Sequence, residues 1–406
     1  MEVITLGTCS QKPSPTRNVS CNIIKLRNNK YIVIDCGEGT QHQFLKFKKK
    51  ISNIELILIT HLHGDHIFGL PGLLSSLNES KEGSNLNIIG PYGLSKFLKN
   101  VLFFGHYANL RYKLNITELN DRKMNYYNPI IKSFKVIGGY PNIDIYAIPT
   151  NHVEYTYSYV IEEQTKKGSL IPKVIDPILD GNKKLYKNIS QINKKNFEYN
   201  GFIFDNEGYV HFKDKKTKFR NESVSGIKIS VISDTNHKND SGLYLNTPFL
   251  FQKLVNNSDV IVHEATNCIS CDYENISIEK EKEVRDRIIS HGHSTPDMAG
   301  SFANIYNAKL LILTHFSSKY KGDIRIDSLL VMEKIRNEAI KTFKSNNVIT
   351  ARDGMVIPIS NNYEKINKIV NTNIFLQICA VNFNKYITIK FIIFIVIFIF
   401  FIILIK

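Results

Sequence analysis

Short apolar runs punctuated by turn formers occupy residues 3–6, 31–34, 56–59 and 143–148, and runs of the same kind return at 227–232, 260–263, 310–313 and 356–359. Runs of this length and setting predict strands. Between them, apolar positions recur at helical spacing over 279–289, 296–305 and 328–344, which predicts helices. Strands in both halves with helices interposed imply an α/β layered fold of two packed sheets covered by helices. No repeat of fixed period runs through the chain. Residues 162–222 break the rhythm with KKGSLIPKVIDPILDGNKKLYKN and HFKDKKTKFR, rich in Lys and turn formers. They read as an inserted arm or an irregular surface loop.

Beyond residue 359 the chain turns Asn-rich, so 1–360 is expected to form the main domain and 361–385 a linker. Residues 386–406 form an apolar tail. Its uninterrupted stretch, 391–405, would span about 22 Å as a helix at ~1.5 Å per residue. That is short of a bilayer core of about 30 Å, unless the span begins at Tyr386 and Lys390 reaches the interface. A membrane anchor and a buried or disordered tail both fit this composition.

The 406 residues could hold one large domain or two smaller ones, and 43 % hydrophobic residues exclude global disorder. A net charge of +15 fits a polyanionic partner as well as a Lys-rich solvated surface. The six cysteines, Cys9, Cys21, Cys36, Cys268, Cys271 and Cys379, are scattered as in a reduced intracellular protein. Cys268-x-x-Cys271 has no second CxxC to complete a metal site and reads as free thiols ahead of metal or redox use. The N-terminus shows no basic segment followed by an apolar core, so the expected location is cytoplasmic, with an organellar or nuclear address as alternatives. A tail anchor would place the protein on a membrane facing the cytosol.

The sharpest chemical signal is His61-Leu-His63-Gly-Asp65-His66, directly after the apolar run ELILIT. Imidazole and carboxylate are preferred ligands of zinc, and their spacing on a strand-end loop suits two adjacent divalent ions. Alternate residues of an extended loop point the same way, so His61 and His63 can share one ion while Asp65 and His66 face another. Further ligands are expected from His152 after YAIPT, Asp234 after ISVIS and His315 after LLILT, each following a strand-like run. A carboxylate such as Asp234 can bridge two cations.

These residues resemble the metallo-β-lactamase superfamily, whose signature is HxHxDH, and more closely the short form of ribonuclease Z, the tRNA 3′-endonuclease. The resemblance runs from Met1 to about Ile359. It rests on LGTCSQKPSPTRNVS, IDCGEGTQHQ, HLHGDH, GLPGLL, SDT, HEAT, HST, THFSSKY and ARDGM in order along the chain. It implies an αββα four-layer sandwich carrying an inserted basic arm at 162–222 that grips tRNA. It further implies two zinc ions per chain, one held by His61, His63 and His152, the other by Asp65, His66 and His315, with Asp234 bridging and Asp35 bracing the metal loop. Asp65 would accept a proton and His293 would donate one to the leaving oxygen, its ring held by Glu264. His291, two residues from His293, is the rival donor. Arg17 in the PSPTRN loop, with Lys183 and Lys184 in the arm, are the expected RNA contacts.

The implied reaction is removal of the 3′ trailer from precursor tRNA after the discriminator nucleotide. It leaves a tRNA 3′-hydroxyl and a trailer 5′-phosphate. A homodimer is expected from the family. The sequence departs from the family at Tyr157-Ser158-Tyr159, at Ser233 before Asp234, and in the arm, where DPILDGNKKLYKN replaces a Gly-Pro-rich stretch. Two other readings share the ligands or the charge: a binuclear zinc phosphodiesterase acting on small substrates, and a membrane-anchored RNA-binding relative without catalysis. Manganese or iron would also suit the His/Asp donors.

Overall fold

In the computed structural model, residues 1–359 are described apart from 106–109, 120–129, 135–141, 181, 191, 193–195, 237–246 and 274. The expected linker at 361–385 and the apolar tail at 386–406 lie outside the described residues, and among the latter no helix is long and apolar enough to cross a membrane.

Two seven-stranded sheets face one another. The first contains β1 (Glu2–Gly7), β2 (Cys21–Lys25), β3 (Tyr31–Ile34), β4 (Ile54–Leu58), β5 (Asn85–Pro91) and β6 (Lys113–Leu119). The second contains β7 (Ile131–Phe134), β8 (Ile143–Thr150) and β9 (Thr156–Glu163). A small sheet of β10 (Phe197–Tyr199), β11 (Phe202–Phe204), β12 (Tyr209–Phe212) and β13 (Lys215–Lys218) follows. The second sheet then resumes with β14 (Lys228–Ile232), β15 (Val260–Glu264), β16 (Leu311–Thr314) and β17 (Val348–Thr350). The last strand, β18 (Met355–Pro358), returns to pair antiparallel with β1 at the edge of the first sheet.

The unbroken apolar runs have a physical reason: both faces of each sheet are buried. In β3, Ile32 and Ile34 enter the core between the sheets, while Tyr31 and Val33 meet the helices outside. Ile229 and Val231 of β14 and Val262 of β15 enter the same central core from the second sheet. Helices Thr40–Lys46, Leu70–Ser80 and Leu94–Phe104 cover the first sheet. Pro296–Ile305 and Ile326–Phe343 cover the second. The result is the expected helix–sheet–sheet–helix layering.

The Lys-rich segment is folded. Helices Pro172–Leu179 and Lys183–Ser190 pack with the β10–β13 sheet around Ile175, Leu179, Ile189, Phe204 and Phe219, a core separate from those of the main sheets. Its ends leave and re-enter the second sheet side by side, since Lys228 of β14 pairs with Glu162 of β9 and Lys166 bridges Val224. Replacing residues 167–223 with a short Gly-containing turn should therefore leave a folded, metal-binding protein. Circular dichroism melting and metal content would check this, and a molten product would show that the arm is integral to the core.

Candidate metal centre and active site

β4, β8, β14, β15 and β16 all end at one rim, because β14, β15 and β16 run parallel and β8 and β14 are both antiparallel to β9. Carboxyl-end rims of this kind are where loops from α/β sheets gather functional groups. Here they deliver His61 to His66 after β4, His152 after β8, Asp234 after β14, Glu264 on β15 and His315 after β16. They border a cleft of about 640 Å³ to which Asp65, His152, Asp234 and His293 contribute.

The hydrogen bonds fix which ring nitrogens are bare. His66 Nδ1–H donates to Asp35 Oδ2 at 2.8 Å, and His152 Nδ1–H donates to the Gly292 carbonyl at 2.8 Å. His61 Nδ1–H donates to Thr60 Oγ1 at 3.0 Å, and the Thr60 hydroxyl in turn donates to Asp35. His315 Nδ1–H donates to Thr266 Oγ1 at 3.0 Å. In its neutral form each of these rings has an unprotonated Nε2, as a cation needs, and is held in orientation from behind. Gly292 cannot be replaced cheaply: it sits at φ 78°, and a Cβ there would lie 2.3 Å from His152 Nδ1.

The bare atoms converge. His61 Nε2 lies 3.0 Å from His63 Nδ1, which lies 3.4 Å from His152 Nε2. On the other side, His66 Nε2 is 3.3 Å from His315 Nε2 and 3.6 Å from Asp65 Oδ2. Asp234 Oδ2 stands between the two groups, 3.9 Å from His61 Nε2, 3.7 Å from His66 Nε2 and 3.3 Å from His315 Nε2. The triads His61/His63/His152 and Asp65/His66/His315 thus each have their donor atoms close enough to hold a metal ion, with Asp234 reaching both. Bare nitrogens and carboxylate oxygens around one locus fit divalent cations.

The electrostatics agree. Burial is the largest influence on His61 and, with the neighbouring His66, keeps its pKa well below the ordinary value, so the ring is neutral. Burial would raise the carboxyls of Asp65 and Asp234, but the adjoining His66 and His315 outweigh it and hold both below the usual range. Burial likewise opposes charge on His66, yet Asp35, Asp65 and Asp234 prevail and raise its pKa well above normal. Without a cation, protons on the imidazoles balance the buried carboxylates; a cation would displace them.

Beside this cluster, His293 Nδ1 lies 3.3 Å from Glu264 Oε2 and 3.9 Å from Asp234 Oδ2. Glu264 is buried, accepts from the Thr235 N–H at 2.7 Å and from the Thr266 hydroxyl, and carries no direct contact to the first triad. Burial opposes protonation of His293, but Glu264, followed by Asp234 and Asp65, raises its pKa to about 9. His291 is exposed on the cleft wall, and its side chain makes none of these contacts.

Two residues that the sequence did not single out, Thr60 and Thr266, therefore connect the clustered histidine rings to their supports. Gln11 is a third, its N–H donating to Asp65 Oδ2 at 2.6 Å. The adjacency of Thr60 to His61 and the Thr of HEAT were the available signals.

Arg17 corrects an expectation. It is 1 % exposed, donates to the carbonyls of Tyr320 at 2.8 Å and Ala351 at 2.9 Å and to Thr8 Oγ1 at 2.6 Å, and lies over the Phe316 ring. Enclosed this way it ties the N-terminal loop to the second sheet and cannot reach a phosphate. Its loop does border the cleft, through Gln11, Lys12 and Pro13. In the arm, Lys183 opens the helix Lys183–Ser190, and Lys184 is exposed on it.

A ribonuclease Z from Oceanobacillus iheyensis is 32 % identical over 349 residues, covering 85 % of this chain and 96 % of that one. The chain belongs to the ribonuclease Z family. A ribonuclease BN from Proteus mirabilis is 33 % identical over 322 residues, covering 79 % and 90 % respectively. The crystal structure of human tRNase Z, short form, aligns with TM-score 0.54 and 25 % identity over 89 % of this chain and all of that one. A family model described as anti-Pycsar protein Apyc1 matches residues 1–167, which include His61, His63, Asp65, His66 and His152 but end before Asp234, Glu264, His293 and His315. The chain is thus a hydrolase of the metallo-β-lactamase fold, with His/Asp clusters whose donor atoms lie close enough to hold a metal ion.

Arg17→Ala should lower stability by about 3 kcal/mol, since it strands buried carbonyls and removes charge-assisted hydrogen bonds. Denaturant melts would measure this; an unchanged midpoint with weakened RNA binding would restore Arg17 as an RNA contact.

Proposed function

We propose that this ribonuclease Z relative removes the 3′ trailer from precursor tRNA, cutting after the discriminator nucleotide, with two zinc ions per chain. The observation that carries the reading is the buried Glu264–His293 pair set against Asp234 Oδ2, opposite Asp65, in one cleft. His61, His63 and His152 would hold one ion, Asp65, His66 and His315 the other, and Asp234 would contact both. A pair of such cations supplies a nucleophilic water near neutral pH and offsets charge on the phosphoryl oxygens.

The protein's own groups handle the protons. Asp65, ionised and steadied by the Gln11 N–H, is the acceptor facing the cleft. His293 gives its proton to the departing ribose 3′-oxygen, which is a poor leaving group as an alkoxide. Its Nδ1 is engaged by Glu264, leaving Nε2 for the transfer. Cations beside Asp65 and Asp234 would cancel the pull of those carboxylates on the His293 proton. Glu264, outside both triads, would keep its own.

The arm supplies a surface suited to an RNA backbone. Lys213, Lys215 and Lys216 are exposed on the β12–β13 hairpin, with Lys213 over the Phe212 ring and Lys216 over that of Tyr209. They form a basic hairpin with aromatic backing, and the exposed Lys184 lies on a helix of the same arm. The name of the human structural neighbour, a tRNase, supports tRNA as the substrate class.

The direct test is a 3′-extended precursor tRNA incubated with protein shortened before residue 371. The expected result is one cut after the discriminator, abolished by chelation and by Asp65→Ala. Metal-dependent hydrolysis of a small phosphodiester without that cut would keep the centre and remove the tRNA assignment.

The acid assignment has its own signature. Glu264→Gln should lower kcat roughly 10²–10³-fold with little change in KM. With Glu264 charged and no cation bound, the His293 pKa is raised to about 9, so its proton is held below that pH and lost above it, and bound cations would lower this limit. Without the carboxylate its pKa falls, and the alkaline limb of the rate profile should move to lower pH. A parallel loss at every pH would sink the assignment.

A further inference from the structure

The Cys268-x-x-Cys271 pair plays no part in the metal centre, yet it occupies a specific place in the fold. It follows β15 directly, two residues beyond Thr266, at the start of a crossover that leads to the parallel strand β16. Cys268 precedes the short helix Ile269–Asp272, which carries Cys271. The two Sγ atoms are 2.6 Å apart, well inside the contact distance of two unbonded sulfurs. The backbone thus already holds the side chains pointing at one another, the condition a disulfide demands and two arbitrary thiols fail.

The two sulfurs differ in access. Cys268 is fully buried, its N–H donates to the Tyr320 hydroxyl at 2.9 Å, and its Sγ lies 3.5 Å from Glu338 Oε2. Cys271 is partly exposed. The hydrogen bond to Cys271, then burial and the neighbouring Glu338 carboxylate, disfavour a thiolate at Cys268. Cys271, accepting a hydrogen bond from the Cys268 thiol, has its pKa lowered. One accessible sulfur able to attack and one enclosed sulfur able to resolve is the division of labour that dithiol exchange uses. Cys9, Cys21 and Cys36 offer no comparable arrangement: all three are buried, and burial pushes each thiol up. A soft-metal reading of the pair is less suited, because among the described residues no third donor joins the two sulfurs in a metal-sized cluster.

We propose that Cys268 and Cys271 form a reversible dithiol–disulfide site that exchanges with low-molecular-weight disulfides. The Cys271 thiolate attacks one sulfur of a glutathione-type disulfide, forming a mixed disulfide and releasing one thiol. Cys268 then loses its proton and attacks Cys271 Sγ, closing the intramolecular bridge and releasing the second thiol. The protein is oxidised by two electrons and the small disulfide is reduced by two. The bridge locks the segment between Thr266 and Tyr320, whose hydroxyl contacts the Cys268 N–H and Asp272 Oδ1.

The test uses the full chain in buffers of oxidised and reduced glutathione, followed by intact-mass measurement and peptide mapping. Oxidised buffer should remove about 2 Da, mapped to a Cys268–Cys271 bridge, and excess reduced glutathione should restore the mass. Cys268→Ser should halt at a glutathione adduct on Cys271, while Cys271→Ser should leave Cys268 unreacted over the same time. No mass loss in the unsubstituted chain, a stable adduct there, or a bridge involving Cys379 would each overturn the proposal. Equal adduct formation on Cys268 in Cys271→Ser would overturn the order of attack.

Discussion

Two carboxylates and a ring of imidazoles are enclosed around one oxygen atom, and the rest of the molecule is arranged so that this can be sustained. Asp234 Oδ2 has nitrogens of His61, His66, His293 and His315 within 3.9 Å, drawn from loops of both sheets. Burying unpaired charge costs several kcal/mol per ion, so the cluster is stable only with protons or cations distributed through it. Holding it also requires unusual backbone: Asp35 sits at φ 62° and His315 at φ 56°, both left-handed. Such conformations cost of order 1–3 kcal/mol each and persist where surrounding structure enforces them. Asp35 is fixed by Thr60 and His66; His315 is fixed through its ring by Thr266.

Thr266 joins the two halves of the chemistry. Its hydroxyl touches Glu264 on one side and His315 on the other, and Glu264 touches His293. Thr266, which holds the His315 ring, and Glu264, which holds the His293 ring, are thus in direct contact. A change in the position of one is felt by the other, which gives the HEAT segment a mechanical importance beyond its glutamate.

Much of this was readable in the sequence where local pattern and global burial agree. The apolar run at 31–34 coincides with β3, and the helical spacing at 296–305 with Pro296–Ile305. The clustering of these His and Asp residues was legible because each follows a buried strand, so an apolar run ending in His or Asp marks the rim. The arm was not legible as a sheet: β10 to β13 are three or four residues each, too short for alternation to declare itself against so many lysines. Arg17 misled for a different reason. Nothing local distinguishes an arginine that meets phosphate from one that meets three internal oxygens supplied by residues near 8, 320 and 351. Thr60 and Thr266 were missed because their role lies in contacts, most of them distant along the chain.

The wide spacing of the ligands also bears on how the protein is made. His66 and His315, whose ring nitrogens lie 3.3 Å apart, are separated by 249 positions. At roughly 5–20 residues per second of synthesis, the first histidines wait some tens of seconds for the last. Throughout that interval the emerging chain displays an incomplete imidazole cluster, which favours copper over zinc by intrinsic affinity. β1 waits longer still for β18, its neighbour at the sheet edge. A cation that needs donors from both His66 and His315 could therefore be enclosed only after residue 315 has been synthesised.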